Sequence, residues 1–319
     1  MITFRHFRND DPPRLADIWQ ASALGPSSMQ PMSSTMLEAA VFSKSYFDPN
    51  GLIVAMEGSQ AVGFAHAAFG PTKDSTGIDT TTGSILIAAV IPHGDRDAIG
   101  RGLVGKCEAY LQGQGATTIL GGGSPEMRSF YMGLYGGSDL PGILDSSPAM
   151  QSLFDDCGYE THERIAVLRR YLDGFRPPVN RLQLAIRRST VLRVTDQPLC
   201  RSWWEAATMA GVGWRRYELR NHAEDLLGSA SVWDMQPLSS TWNIPAAGLL
   251  RIDIEGSRRG QGLAKYIVAE AMHDLAEEGV EMIETHVSST NTPALKLVES
   301  LGFTAVEYGT VFKKTSVTM

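Results

Sequence analysis

Residues 253–264 read DIEGSRRGQGLA, so two carboxylates, two arginines and three glycines stand directly ahead of an apolar run. If that run is a helix, its first N–H groups lack intrahelical partners and sit at the positive end of the helix dipole. Gly260, Gly262 and the small Ala264 keep side chains away from those groups, and Arg258 and Arg259 add cations beside them. Such a loop can take up a phosphate or pyrophosphate. Residues Ile254 and Arg258–Ala264 (Arg258, Arg259, Gly260, Gln261, Gly262, Leu263, Ala264) therefore form the candidate binding loop.

The elements needed to hold this loop are legible on both sides. Residues 246–255 (AAGLLRIDIE) predict a strand ending at the loop. Residues 261–279 predict a helix with Leu263, Ile267, Ala271 and Leu275 on one face. A strand over 280–288 follows, then a helix over 291–303 opened by Asn291, with Pro293 in its first turn, and closed by Gly302. The first half repeats this order: a hairpin over 51–69, a strand over 83–91, a helix over 100–115, a strand over 117–123 and a helix with its turn over 147–160. Gly100 and Ala264 are 264 − 100 = 164 apart, whereas Gly158 and Gly302 are 302 − 158 = 144 apart. The first copy thus carries an insertion of 164 − 144 = 20 residues, within 122–145. A repeat this long implies two copies of one domain. The expected division is 1–172, an Arg- and Pro-rich linker at 173–189, and 190–319. Periodicity leaves 180–188 open between helix and strand.

The 319 residues carry a net charge of −7, with 43% hydrophobic and 20% charged residues, the profile of a soluble globular chain. No global positive field favours nucleic acid or an anionic membrane. Cys107, Cys157 and Cys200 are far apart and odd in number, so neither a disulfide framework nor a metal site is expected. The longest apolar run, 85–91, is too short to span a bilayer, and a cytoplasmic protein is the expectation. Residues 100–105 (GRGLVG) match a dinucleotide fingerprint and 100–107 approach a phosphate loop, but both fail on context. Eight residues separate the glycines from the preceding strand, and Cys107 stands where a hydroxyl should hold magnesium.

On these motifs the chain resembles the GNAT superfamily of N-acyltransferases. Arg259-x-x-Gly262-x-Ala264 matches the family's acyl-CoA loop, R/Q-x-x-G-x-G/A, and NTPALKLVESLGF (291–303) matches its later helix. In the first copy, Val90 to Gly100 fits the frame of the same loop. The resemblance covers most of the chain except the linker and 196–245. It implies an α/β fold of two tandem domains, as in mycothiol synthase. Each domain would be a central mixed twisted sheet flanked by helices, with two strands splayed to admit the acyl-CoA arm. It also implies acetyl-CoA or another acyl-CoA as co-substrate, no metal, and direct attack of a small-molecule or peptide amine on the thioester. The N–H near Ile254 would polarise the acyl carbonyl. Family precedent places the general base on the splayed strands, which makes Asp253, Glu255, Glu284 and His286 the candidates. Asn291 joins the cofactor set.

The chain departs from the family pattern in two ways. Asp95 and Ala98 replace the arginine and glycine of the first loop, so that copy is expected to bind CoA weakly or not at all. The family's thiolate-protonating tyrosine is replaced by Val298 and Phe154, and Tyr308 is the substitute to consider. A non-catalytic CoA-binding or interaction protein is therefore the alternative. Trp203, Trp204 and Trp214 could line an acceptor pocket or simply fill a core. Phe130, Tyr131 and Tyr135 of the insertion could cover a site. Self-association is left open.

Overall fold

In the computed structural model, described for residues 1–315, the chain forms two compact units whose segments alternate in sequence. The first holds Met1–Ile165, Arg201–Ala210 and the chain from Glu307 on; the second holds Ala166–Cys200 and Gly211–Val306. The expected linear division needs correcting accordingly. Residues 166–172 belong to the second unit because Ala166, Leu168 and Leu172 lie in its core. Residues from 307 belong to the first because Val311 packs with Leu120, Met127 and Ile165 there. Part of the expected linker is a helix of the second unit.

The first unit contains β1 (Ile2–His6), α1 (Pro12–Ala21), α2 (Ser34–Leu37), β2 (Leu52–Glu57), β3 (Gln60–Pro71), β4 (Ile78–Val90), α3 (Arg96–Gly113), β5 (Thr118–Gly121), β6 (Ile143–Leu144) and α4 (Pro148–Asp156). The unit boundary falls inside β7 (Glu160–Tyr171). The hairpin between β2 and β3 turns at Gly58, whose φ of 60° needs no side chain in the way. Strands run β1-β2-β3-β4-β5 and then the end of β13 (Thr304–Thr315), with β4 and β5 parallel. The insertion is core: Phe130, Tyr131 and Tyr135 are all buried, and Tyr131 stacks on Trp19 and hydrogen-bonds His66 Nδ1 at 3.0 Å. Helix α6 (Trp203–Met209) also lies here, with Trp204 packed on Tyr46 and Trp203 partly exposed.

The second unit contains α5 (Arg181–Ser189), β8 (Thr190–Asp196), β9 (Trp214–Asn221), β10 (Leu226–Asp234), α7 (Gln236–Trp242), β11 (Ala246–Ile254), α8 (Leu263–Glu277), β12 (Met282–Ser288) and α9 (Thr292–Glu299), and β13 (Thr304–Thr315) begins in it. Strand order is β8-β9-β10-β11-β12-β7, with β11 and β12 parallel. Helix α8 buries Leu263, Ile267, Ala271 and Leu275, the expected stripe, against Tyr217, Leu219, Ala247, Leu249 and Ile283. Each of these leucine and isoleucine side chains is worth about 1.5–3 kcal/mol when fully buried. The stretch 180–188, open from sequence, is helical because Asn180 caps Gln183 N–H and Ile186 reaches the core.

The repeat is visible in detail. Strands β4 and β5 pair only from Thr82 to Ile85, and β11 and β12 only from Ala246 to Leu249. Beyond those points the strands part. A β-bulge at the parting places one extra residue, Leu86 in β4 and Leu250 in β11, and 250 − 86 = 164.

Candidate active site in the second unit

The parting of β11 from β12 leaves a strand edge open from Leu250 to Ile254. The Glu255 N–H bonds Leu227 O at 3.0 Å, toward β10. Backbone groups alternate sides along a strand, so the N–H groups of Ile254 and Ile252 point into the gap. Ile252 and Ile254 side chains pack on the α8 side of the sheet. Arg251 and Asp253 therefore face the other side, where they pair at 2.7 Å.

At the end of this edge lies the predicted loop. Gly256–Arg258 form a short 3₁₀ turn capped by Glu255, whose carboxylate takes the Ser257 N–H at 3.1 Å and its hydroxyl at 2.5 Å. Those bonds hold Glu255 below the usual carboxylate range. Glu255 is therefore an exposed turn cap beyond the end of the strand, and it is a poor proton acceptor. Arg258 and Arg259 are exposed, and Arg259 Nε reaches Ile254 O at 3.5 Å. The Gln261 amide donates to Ser257 O at 3.2 Å. Gly260 and Gly262 have φ of 75° and 79°, the left-handed region that favours glycine. Gly262 opens α8 without any side-chain cap, and Leu263 and Ala264 are the first residues of the helix. A Cβ on Gly262 would stand 2.8 Å from Leu182 of α5, so the loop is walled by the former linker. Two left-handed glycines, an uncapped helix start and two exposed arginines form a cradle that a pyrophosphate fits. Asn291 caps α9 through Ala294 N–H.

In the first unit the equivalent loop has a different backbone. Helix α3 starts at Arg96, three residues before Ile99, the counterpart of Leu263. Ala98 stands where Gly262 stands in the second copy; it has no positive φ and is part of the helix. The cradle has become a helical turn, with Asp97 and Arg96 lining a cleft of about 470 Å³ beside Ala88–Val90.

Glu284 and His286 lie on the face of β12 away from α8, since Ile283 and Val287 fill the core. Glu284 is fully buried, accepts Arg169 Nε at 2.7 Å and sits 3.3 Å from His286 Nε2. Burial pushes its carboxyl up, but the His286 hydrogen bond and the Arg169 guanidinium outweigh this and hold it below the usual range. The Arg169 guanidinium lies 4.2 Å from the centre of the Trp242 ring. The His286 side chain is 1% exposed, and its Nδ1 is buried without a hydrogen-bond partner. Arg169 was invisible as a site residue from sequence, since it lies in the Arg-rich stretch ahead of the expected linker.

Val298 and Phe154 are both buried. Tyr308 lies on β13 in the first unit, with Arg164 over its ring. Trp214 does not line the gap. It lines a separate cleft of about 650 Å³ at the opposite end of β11, with Trp233, Asp196 and Glu278. Among the described residues no His, Cys, Asp and Glu cluster has metal-site geometry, and no helix is long and apolar enough to cross a membrane.

Residues 195–303 match the family described as Acetyltransferase (GNAT) family. The loop and parted strands above all lie within this matched stretch. Mycothiol acetyltransferase of Thermomonospora curvata is 33% identical over 60 residues, 19% of this chain and 20% of that protein. The match thus spans a fifth of the length of that curated relative. Over the whole chain the fold is that of tandem GNAT proteins. A tandem GNAT protein from the clavulanic acid biosynthesis pathway superposes with a TM-score of 0.65 at 15% identity, covering 100% of both chains. A GCN5-related N-acetyltransferase from Sphaerobacter thermophilus gives 0.66 at 15% identity, over 98% of this chain and 95% of that one.

Proposed function

We propose that the protein is an acyl-CoA-dependent N-acyltransferase, with acetyl-CoA as donor and its cofactor site in the second unit. The observation that carries this reading is the cradle at Gly260–Ala264, set at the end of a strand whose gap-facing N–H groups have no strand beside them. The cradle receives the pyrophosphate. The edge of β11 receives the arm, and its N–H groups polarise the acyl carbonyl. An amine on a small molecule or peptide attacks the thioester directly; the C–N bond forms, and the C–S bond breaks with departure of the thiolate. Core residues replace the family tyrosine in both copies, so the proton reaching sulfur comes from another group or from water. Thiolate is a fair leaving group, which lowers the demand for a general acid.

Calorimetric titration of acetyl-CoA into the whole protein tests the reading. We expect one site per chain, lost in the Arg259→Glu, Gly262→Glu variant. Two sites would mean that the first loop still works. Saturable binding without turnover of any amine would favour a CoA-binding protein without catalysis, and no binding would refute the cofactor site.

A further inference from the structure

The side chains in the gap single out one proton acceptor, and this step rests on the acyltransferase reading above. Asp253 is tied to Arg251, Glu255 caps a turn, and Glu284 is buried against Arg169. His286 is the first residue of β12 past the last β11 partner, Thr285, so it stands at the vertex where the strands part. An arm laid from the cradle along the open edge of β11 runs toward that vertex over about 16 Å, five residues at about 3.3 Å each. The face of the sheet on the α8 side is filled with core. An acceptor therefore arrives from the face that carries Glu284, His286, Arg251 and Asp253, and it must uncover the buried His286 ring as it binds.

We infer that His286 Nδ1 is the general base, oriented by Glu284, and that Arg169 is a positioning residue acting through that carboxylate. Nε2–H of His286 points at Glu284 Oε1, 3.3 Å away, which leaves Nδ1 with its lone pair in a buried site and no partner. A buried polar atom left unpaired is costly and calls for an explanation. A substrate ammonium supplies the missing hydrogen. One proton passes from the ammonium to Nδ1. The freed nitrogen lone pair forms the C–N bond, the C–S bond breaks, and the nitrogen gives up its second proton as sulfur is protonated. The resulting imidazolium is held by Glu284 until solvent takes the proton. Arg169 serves the resting state. The guanidinium, 4.2 Å from the centre of the Trp242 ring of α7, already satisfies part of the charge of the buried Glu284 carboxylate. Glu284 on its own strand is the charged group in contact with His286, Arg169 on β7 pairs with that carboxylate, and the Arg251–Asp253 pair lies on β11.

The test uses the full chain, acetyl-CoA and two kinds of acceptor. Primary alkylamines arrive as ammonium ions; hydroxylamine is already neutral at pH 7 and needs no base. His286→Gln should lose about 10²-fold or more with the best alkylamine and distinctly less with hydroxylamine. Equal loss with both would mean a structural role and overturn the assignment. Arg169→Met should move the rising limb of the kcat/KM pH profile to higher pH, with Arg169→Lys moving it less. A profile that only drops in height would remove Arg169 from the relay. Nitrogen NMR of the imidazole gives a readout without turnover: the wild-type ring at pH 7 should carry its proton on Nε2 alone. A proton on Nδ1 would overturn the proposal even if every variant misfolds. Loss of acetyl-CoA binding by the wild type would instead sink the acyltransferase reading, and this inference with it.

Discussion

At the scale of single residues, Gly262 and Glu284 carry requirements of different kinds. Gly262 is fixed by backbone shape. Its φ of 79° costs an ordinary residue about 1–2 kcal/mol, and a Cβ would meet Leu182 at 2.8 Å. Gly262→Ala should therefore lower the stability of the second unit by about that amount in urea unfolding and weaken acetyl-CoA binding as well. An unchanged midpoint would mean that the loop relaxes freely. Glu284 is fixed by charge. Its folded carboxyl titrates below the unfolded value, so its stabilisation is complete above about pH 4.3 and fades as pH falls toward the folded value. The stability gap between wild type and Glu284→Gln should narrow as pH falls below about 4; a gap that widens there would contradict the pairing. The glycines, the arginines and both strand residues were legible in the sequence, because each belongs to a local motif. The Glu255 cap on Ser257 and the pairing of Arg169 with Glu284 were not. One depends on where a strand stops, the other on a contact between residues 115 positions apart.

At the scale of elements, the two copies of the loop make opposite demands on one equivalent position. Gly262 is left-handed ahead of α8, whereas Ala98 is an exposed residue inside the first turn of α3. Ala98→Gly should therefore destabilise the first unit by up to about 1 kcal/mol, the usual helix penalty of glycine, and should not by itself create a second CoA site. Urea unfolding and calorimetry of that variant check both parts, and a gain of one binding site would show that the carboxylates beside it are harmless. Elements were the scale at which sequence spoke most clearly. The stripe on α8, the Asn291 cap and the hairpin at Gly58 arise from neighbours a few residues apart, and all stand where periodicity and turn chemistry put them. The insertion was located but its use was not. Nothing local announces that Phe130, Tyr131 and Tyr135 fill a core.

At the scale of the whole molecule, the repeat count was legible and the alternation of segments was not. A strand's partner is chosen by packing, and no short-range signal in residues 307–315 says that they complete the unit built by residues 1–165. Strand β13 pairs Phe312–Thr315 with Thr118–Gly121 and covers β6 at Gly309 and Thr310. A chain cut back to residue 306 should therefore lose cooperative unfolding of the first unit and expose β5 to proteolysis, although every residue removed lies in the second half of the sequence. Retention of a sharp first-unit transition in that truncation would refute the assignment.

The placement of β13 also bears on the order of events during synthesis. Residues 1–165 emerge first, yet the strand that closes their sheet is made much later. At about 5–20 residues per second, some 140 residues must follow before it appears, a delay of about 7–28 seconds. Throughout that interval the edge of β5 is an unsatisfied template in a crowded cell. The first unit stays open-edged until β13 emerges, and a stop codon anywhere between residues 165 and 307 removes the strand that closes it.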